Sequence, residues 1–330
     1  MSETRLDSSK HLRRRSKTRV LAWIGAGVVL VLLIVMSGGL WFASSQLLSP
    51  SFRGVSKDLS VCTPETEQYF GKNCGNLREN HAFEFSEVNK IRAANGYDLR
   101  GWLVRAVDNG QGSARGAIML VHAGGSDRRE DTRHIQFYLS QKLDVLTFDL
   151  SCHGEAPCPT AGMTYGSRES RDVLSAYTYL TGTYDTVYAM GSSVGASSIL
   201  IAMPEMPKLK GVIAENAMTN FTRLISEAPE AQSMPRLFSS MLIKLAMLRG
   251  HFDASVSPEH SLTLAGTTPV FFIHSKADKI VSYKQSEDLA HIYRGPSTVW
   301  FPATGEHAAV WDTNRAEYEK RVSAFLDSAH

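Results

Sequence analysis

The chain reads as an α/β protein: a mostly parallel, doubly wound sheet with a leading antiparallel hairpin and a small helical cap, preceded by one membrane-spanning helix. Three observations carry that reading. From residue 116 onward, short apolar runs alternate with segments of helical periodicity, the pattern of strands joined by crossover helices. Before them, two strand-like runs meet at Asn95-Gly96, and Asn-Gly is the dipeptide of a tight hairpin turn. Near the N-terminus, residues 20–52 contain no Asp, Glu, Lys or Arg.

The apolar segment comes first in the chain. Its most hydrophobic part, 20–43, is long enough for one bilayer-spanning helix, which needs about 20 residues. Trp23, Trp41 and Phe42 lie near its ends, where interfacial aromatics are favoured. A secretory signal has a shorter apolar region and a small-x-small cleavage site; Ala43-Ser44-Ser45 offers such a site, so cleavage stays open beside the retained anchor. Residues 1–19 form a basic tail. Residues 1–20 hold seven basic and two acidic side chains, so their charge of +5 against an overall +2 leaves the remainder at −3. By the positive-inside rule the tail stays in the cytoplasm and the rest lies outside it, periplasmic or extracellular. A mildly acidic body without a basic, aromatic-studded stripe excludes a nucleic-acid surface.

Residues 44–80 read as a linker and N-terminal embellishment, and 81–330 as the catalytic-type domain. After the hairpin, "GAIMLVHA" is a buried strand, and a helix is expected from about Asp127, with Asp127 and Glu130 spaced as a capping box. On that reading Arg128, Arg129, Glu130 and Asp131 form a solvated first turn. "LDVLTFDL" is a strand, 168–180 a helix, "TVYAMG" a strand and 194–203 a helix. "KGVIAENA" and "PVFFIHS" are further strands, 283–293 a helix, "STVWFP" a strand and 313–326 the last helix. The region of about 219–268 has no strand. Met234, Leu237, Phe238, Met241, Leu242 and Leu245 repeat there at helical spacing, which fits a cap over a site or an ordinary packed helix.

All four cysteines, Cys62, Cys74, Cys152 and Cys158, follow the apolar segment, as they would in an oxidising compartment. The pairings Cys62–Cys74 and Cys152–Cys158 close the shortest loops; four free thiols are the alternative. Their spacing fits no zinc ribbon, and no metal or cofactor motif is present, so none is expected.

Ligands of open α/β sheets bind beyond the carboxyl ends of strands. Ser193, Asp278 and His307 follow three of the four strand-like runs of the second half, in an order that supplies nucleophile, orienting acid and base. A serine hydroxyl needs an imidazole to take its proton, and the imidazole needs a carboxylate to fix its tautomer. In "GSSVG", Gly191 and Gly195 leave room for a strained strand-to-helix turn that presents Ser193 at a helix N-terminus. The Val194 N–H and the Gly124 N–H are the expected oxyanion donors. Glu215, also at a strand end, is an alternative acid. His122 and His153 read as residues that stiffen loops.

With "VHAGG", "DLSCHGEA", "GSSVG", "HSKADKIV" and "GEHAAV" in place, the chain resembles the α/β-hydrolase superfamily over about 83–326, and within it the serine-aminopeptidase-like hydrolases. The resemblance implies Ser193 as nucleophile, Asp278 as acid, His307 as base, and Gly124 and Val194 as oxyanion donors. The sequence departs from the family at Ala123 and Ser275, where glycine is usual, and at Cys152 and Ala156 in place of glycine and serine. The reading that follows is a membrane-anchored serine hydrolase acting on a carboxylic ester or thioester, with a small acyl substrate as its partner. A peptidase or amidase of the same fold and a non-catalytic, membrane-tethered binding protein are the alternatives.

Overall fold

The computed structural model describes residues 4–49, 83–92 and 96–329. Cys62, Cys74, most of the 44–80 segment and the Asn95 side of the hairpin turn lie outside them.

Eight strands form one sheet: β1 (Ser86–Arg92), β2 (Asp98–Val104), β3 (Gly116–Val121), β4 (Leu143–Phe148), β5 (Val187–Ser192), β6 (Leu209–Glu215), β7 (Val270–Ile273) and β8 (Ser297–Trp300). Their spatial order is β1-β2-β4-β3-β5-β6-β7-β8. β1 and β2 pair antiparallel, β2 joins β4 antiparallel, and every pair from β4 to β8 is parallel. Every residue of β3, β4 and β5 is buried, as the near-continuous apolar runs of a sheet covered on both faces require.

Ten α-helices accompany the sheet among the described residues: α1 (Thr4–Leu48), α2 (Thr132–Ser140), α3 (Glu169–Thr181), α4 (Val194–Ala202), α5 (Phe221–Glu227), α6 (Pro229–Gln232), α7 (Arg236–Gly250), α8 (Pro258–Leu262), α9 (Tyr283–Ile292) and α10 (Val310–Ser328). One face of the sheet buries α3, α4 and α9 through Val173, Ile199, Leu200 and Leu289. The other buries α2 and α10 through Ile135, Tyr138, Tyr318 and Val322. A third cluster, away from the sheet, joins α5 and α7 to Met163, Tyr165 and Val194. The strandless region is thus helical, and it packs beside the residue that follows Ser193.

α1 contains one segment, Leu21–Leu48, long and apolar enough to cross a membrane. The helix runs five residues past 43. Ser44 and Ser45 lie within it, their hydroxyls donating back to the Trp41 carbonyl, both at 2.9 Å, and Leu48 is buried against the domain.

The segment after β3 departs from expectation. α2 begins at Thr132, and Asp127 and Glu130 form no capping box. Asp127 instead accepts from the Arg129 backbone N–H and guanidinium, and Glu130 accepts from the Ala123 N–H at 3.0 Å. Residues 128–131 are buried rather than solvated, Arg129 and Asp131 completely. Asp149 at the end of β4 decides this: it draws Arg128 inward by an ion pair at 3.1 Å, and Trp102 lies under the guanidinium. Burial pushes the Asp149 carboxyl up to about 6 against the pull of Arg128.

Candidate active site

β3 is followed by β4 on one side, and β5 returns on its other side, so the β3–β5 crevice is a switch point of the sheet. Both loops expected to build the site leave from it. Val121 pairs with Gly191, and Glu215 with Ser192, which sets Ser193 just beyond the rim between β3 and β6.

Ser193 has φ 52°, ψ −114°, a strained conformation for a side-chain-bearing residue. Its N–H donates to the Glu215 carbonyl at 2.8 Å. The glycines around it have a steric reason. A Cβ at Gly191 would lie 2.7 Å from the Ala196 nitrogen, and one at Gly195 would collide with the Val121 and His122 carbonyl oxygens. α4 starts at Val194, so the Val194 N–H has no partner within its own helix.

The loop after β3 lies against this turn: a Cβ on Gly124 would stand 2.7 Å from Val194 Cγ2 and 2.8 Å from Met163 Sδ. Two histidines shape it. His122 shares its Nδ1 proton with the Ala123 carbonyl (2.8 Å), and its Nε2 accepts from Leu150 N–H (3.0 Å). His153 directs Nδ1 to the Ser151 carbonyl (2.8 Å), and its Nε2 accepts from Gly125 N–H (2.8 Å). Each ring is thereby a neutral Nδ1–H tautomer. Burial lowers both, His153 to about 4. The Ala123 N–H is given to Glu130 and the Gly125 N–H to His153, while the Gly124 N–H between them makes no hydrogen bond among the described residues. Cys152 and Cys158 are joined by a disulfide in the neighbouring loop.

Asp278 and His307 come together. His307 Nδ1 stands 2.7 Å from Asp278 Oδ2. A carboxylate only accepts, so Nδ1 carries the proton and a neutral His307 presents an Nε2 lone pair. Asp278 Oδ2 also accepts from Asn216 Nδ2 at 2.6 Å and from His274 Nε2 at 3.1 Å, while Oδ1 accepts from the N–H groups of Ile280 and Val281 at 2.8 and 3.0 Å. Burial alone would raise this carboxyl. The bonds from His274 and His307 outweigh it and hold the group well below the usual carboxylate range. The Asp278 side chain is wholly buried, and that of His307 retains 15% exposure.

The alternative acid lies elsewhere. Glu215 accepts from Val310 N–H at 3.3 Å and from the Tyr318 hydroxyl at 3.2 Å, and makes no contact with His307. It fastens the start of α10, three residues past His307. Arg133 assists by donating to the Ala308 carbonyl at 2.9 Å. Burial pushes the Glu215 carboxyl up to about 7 against the pull of Arg133. Ser193 and His307 make no hydrogen bond to one another in this structure. Such contacts often tighten only when substrate is in place. Among the described residues no cluster of His, Cys, Asp or Glu is arranged to hold a metal ion.

Asn216 and His274 are the members of this arrangement that sequence reasoning passed over. A signal existed, since each directly follows a strand, β6 and β7, at the same end of the sheet as the singled-out residues. What hid them is their role, which is to donate to Asp278 rather than to react.

No protein-family model matches the chain. Over 248 residues, 72% of this chain and 78% of the relative, it is 28% identical to the uncharacterized protein YqkD of Bacillus subtilis (strain 168). Among solved structures it resembles the Pyrococcus furiosus esterase Pf2001, with TM-score 0.58 and 18% identity over 76% of this chain and 94% of that one. The chain has the α/β-hydrolase fold. The Pyrococcus horikoshii acylaminoacyl peptidase, with TM-score 0.58 and 14% identity, aligns with 76% of this chain and 43% of its own. In α/β-hydrolase terms the Gly191–Gly195 turn occupies the strand-to-helix elbow after β5, and Asp278 and His307 sit beyond β7 and β8.

Proposed function

We propose that the protein is a membrane-anchored serine hydrolase that cleaves a carboxylic ester or thioester. The reading rests on one observation above the others: a buried, ionised Asp278 fixes the tautomer of a partly exposed His307, on the sheet edge that also holds the strained Ser193 turn. In the proposed reaction, Ser193 Oγ attacks the acyl carbonyl carbon and His307 Nε2 takes the hydroxyl proton. The N–H groups of Val194 and Gly124 donate to the developing oxyanion. As the C–O or C–S bond breaks, His307 returns the proton to the leaving group, and the acyl chain stays on Ser193. A water, deprotonated by His307, then attacks the acyl carbon; the acyl C–Oγ bond breaks, His307 returns that proton to Ser193 Oγ, and the acid leaves.

The apolar cluster beside Val194, with Met163, Met218 and Phe221, favours an apolar acyl group. A peptidase or amidase is the second reading, favoured by the likeness to the acylaminoacyl peptidase. The apolar segment Leu21–Leu48 supports an anchor, and the basic tail supports a cytoplasmic N-terminus with the hydrolase domain on the other side. The Cys152–Cys158 disulfide agrees with that orientation. A fluorophosphonate probe tests the chemistry: it labels the wild type and not Ser193→Ala, and equal labelling of both overturns the reading. Nitrophenyl esters set against aminoacyl anilides separate esterase from peptidase. A reporter fused after His330 tests orientation, and a cytoplasmic signal overturns it.

A further inference from the structure

α1 does not part from the domain where its apolar segment ends. One of its faces is covered at Met36, Leu40, Ala43, Ser44, Leu47 and Leu48, a helical stripe, and its packing partner is α7. The junction is specific. Arg249 of α7 donates to the Trp41 carbonyl at 2.8 Å and to the hydroxyls of Ser44 and Ser45, and its guanidinium lies 3.7 Å from the Trp41 ring centroid. The Leu48 carbonyl accepts from Met163 N–H, and the Leu47 carbonyl from the Tyr165 hydroxyl, both at 2.8 Å. Gly162 passes so close to Leu48 that a Cβ would collide with its carbonyl. α7 therefore lies beside the last turns of the segment that would cross the bilayer.

The other side of α7 is uncovered. Leu237 (69% exposed), Met241 (38%) and Leu248 (72%) occupy positions i, i+4 and i+11, which place them on one face. Lys244 shares that face, and its long apolar stem lets the ammonium reach a headgroup while the leucines stay below. α7 carries Arg236, Lys244 and Arg249 and no acidic residue, a charge pattern that complements anionic phospholipid. Its inward face, Ile243, Ala246 and Met247, belongs to the apolar cluster that reaches Val194 beside the nucleophile. One helix, about 10 Å thick, separates the uncovered face from that cluster.

We propose that α7 is an interfacial helix whose Leu237–Met241–Leu248 face enters the bilayer crossed by α1, and that the site takes the acyl chain of a membrane-resident lipid ester. The substrate half of this inference rests on the serine-hydrolase reading above; the insertion half rests on the α1–α7 packing and on membrane anchorage through α1.

The test uses the full chain in vesicles of phosphatidylcholine and phosphatidylglycerol. A phosphatidylcholine bearing a diazirine on its acyl chain is included and photolysed, and lipid adducts are mapped by mass spectrometry. Adducts on α7 as well as on α1 are expected, and adducts confined to α1 overturn the insertion. In parallel, the triple variant Leu237→Asp, Met241→Asp, Leu248→Asp is compared with wild type on monopalmitoylglycerol in the vesicles and on soluble nitrophenyl butyrate. All three positions are exposed, so the fold is expected to persist, and an unchanged melting temperature checks it. The variant is expected to lose about tenfold or more on the vesicle ester while staying within about twofold on the soluble ester and in fluorophosphonate labelling. An equal rate on both esters, or a parallel fall on both at an unchanged melting temperature, overturns the lipid-substrate inference. Absence of all labelling and turnover in the wild type overturns the hydrolase reading and the substrate half with it, while the adduct map decides insertion independently.

Discussion

Replacing Asp278 with Asn gives the sharpest test of the proposed machinery, because the structure says what the new amide would meet. The carboxylate accepts five hydrogen bonds, three on Oδ2 and two on Oδ1. An Asn offers one acceptor oxygen and one NH2. If the NH2 takes the Oδ1 place, it confronts the N–H groups of Ile280 and Val281. If it takes the Oδ2 place, it confronts Asn216, His274 and His307. The first arrangement strands the Ile280 and Val281 donors, whereas in the second His274 keeps the Val281 carbonyl as its partner, so the second is expected, with a loss of stability of about 1–3 kcal/mol. The second drives His307 to the opposite tautomer, with the proton on Nε2, where it cannot accept from Ser193. Triads of this type lose on the order of 10⁴-fold in kcat when the acid becomes an amide. Stopped-time assays with nitrophenyl butyrate, on protein verified as folded by its melting curve, give the activity. Glu215→Gln serves as the control, since Glu215 touches Val310 and Tyr318 and not His307. Retention of more than about a tenth of wild-type kcat by Asp278→Asn would refute the role of Asp278. So would an equal loss in a folded Glu215→Gln.

Other expectations follow from packing and charge. Gly195→Ala drives a methyl into two main-chain carbonyls, of Val121 and His122; a loss of about 3 kcal/mol, or roughly 6–12 °C in Tm, is expected by thermal denaturation, and an unchanged Tm would contradict the close approach. Arg249→Ala removes charge-assisted bonds to Trp41, Ser44 and Ser45 together with a ring contact, about 2–4 kcal/mol of docking. Hydrogen exchange in detergent micelles should quicken at residues 44–48 and 162–165, and unchanged exchange would count against the docking. Glu215→Gln keeps an acceptor for the Val310 N–H and offers an NH2 to the Tyr318 hydroxyl oxygen, but removes a carboxyl raised from 4.5 to about 7; relative to wild type it should gain about 3 kcal/mol at pH 8 and almost nothing at pH 4, read from urea midpoints at both pH values.

The parallel sheet was legible because its strands are apolar on both faces and its turns are marked by glycine. β5 and α4 lie within a residue or two of the places their patterns suggest, since "TVYAMGSSVG" carries both the apolar run and the two glycines. The segment around Arg128 misled for a physical reason. A capping box and a solvent-facing first turn are local patterns, and "DRRE" satisfies both. The outcome was set from outside that window, by Asp149 and Ala123, whose unpaired groups needed Arg128 and Glu130. Ser44 and Ser45 misled similarly: small polar residues read as a linker, but they lie inside a helix that Arg249 and Leu48 tie to the domain. The contact of His307 with Asp278 was foreseeable from strand ends, whereas the donors Asn216 and His274 were not. Their importance comes from three strand ends converging on one oxygen, Asp278 Oδ2, and that convergence exists only in the folded sheet.

The buried charges around the oxyanion loop also bear on how pH acts. Burial raises Asp149 and Asp172 to about 6 and Glu215 to about 7, so the folded state holds more protons than the unfolded one between the ordinary carboxyl range and those values. That stability is present at acid pH and is lost as pH rises through the folded values. Burial lowers His122, His134 and His153, the last to about 4, so there the unfolded state holds more protons. That contribution has the opposite sign: it is present above the ordinary histidine value of 6.5 and is lost as pH falls toward the folded values. The two sets act over the same interval, from about pH 4 to about pH 6.5, and offset one another. A flat stability curve in that interval is therefore the sum of opposed titrations, not a sign that nothing titrates. Glu215→Gln removes one member of the first set and tilts the curve upward with pH. Below the interval the balance ends. The three raised carboxyls are then protonated in both states, while Asp278, held low by His274 and His307, stays ionised in the folded state as it protonates in the unfolded one, so its stabilisation is lost as pH falls. Protonation of His153 near pH 4 should thus take the acceptor from the Gly125 N–H while Asp278 stays ionised against His307, so acid loosens the loop after β3 before it reaches the Asp278 carboxylate.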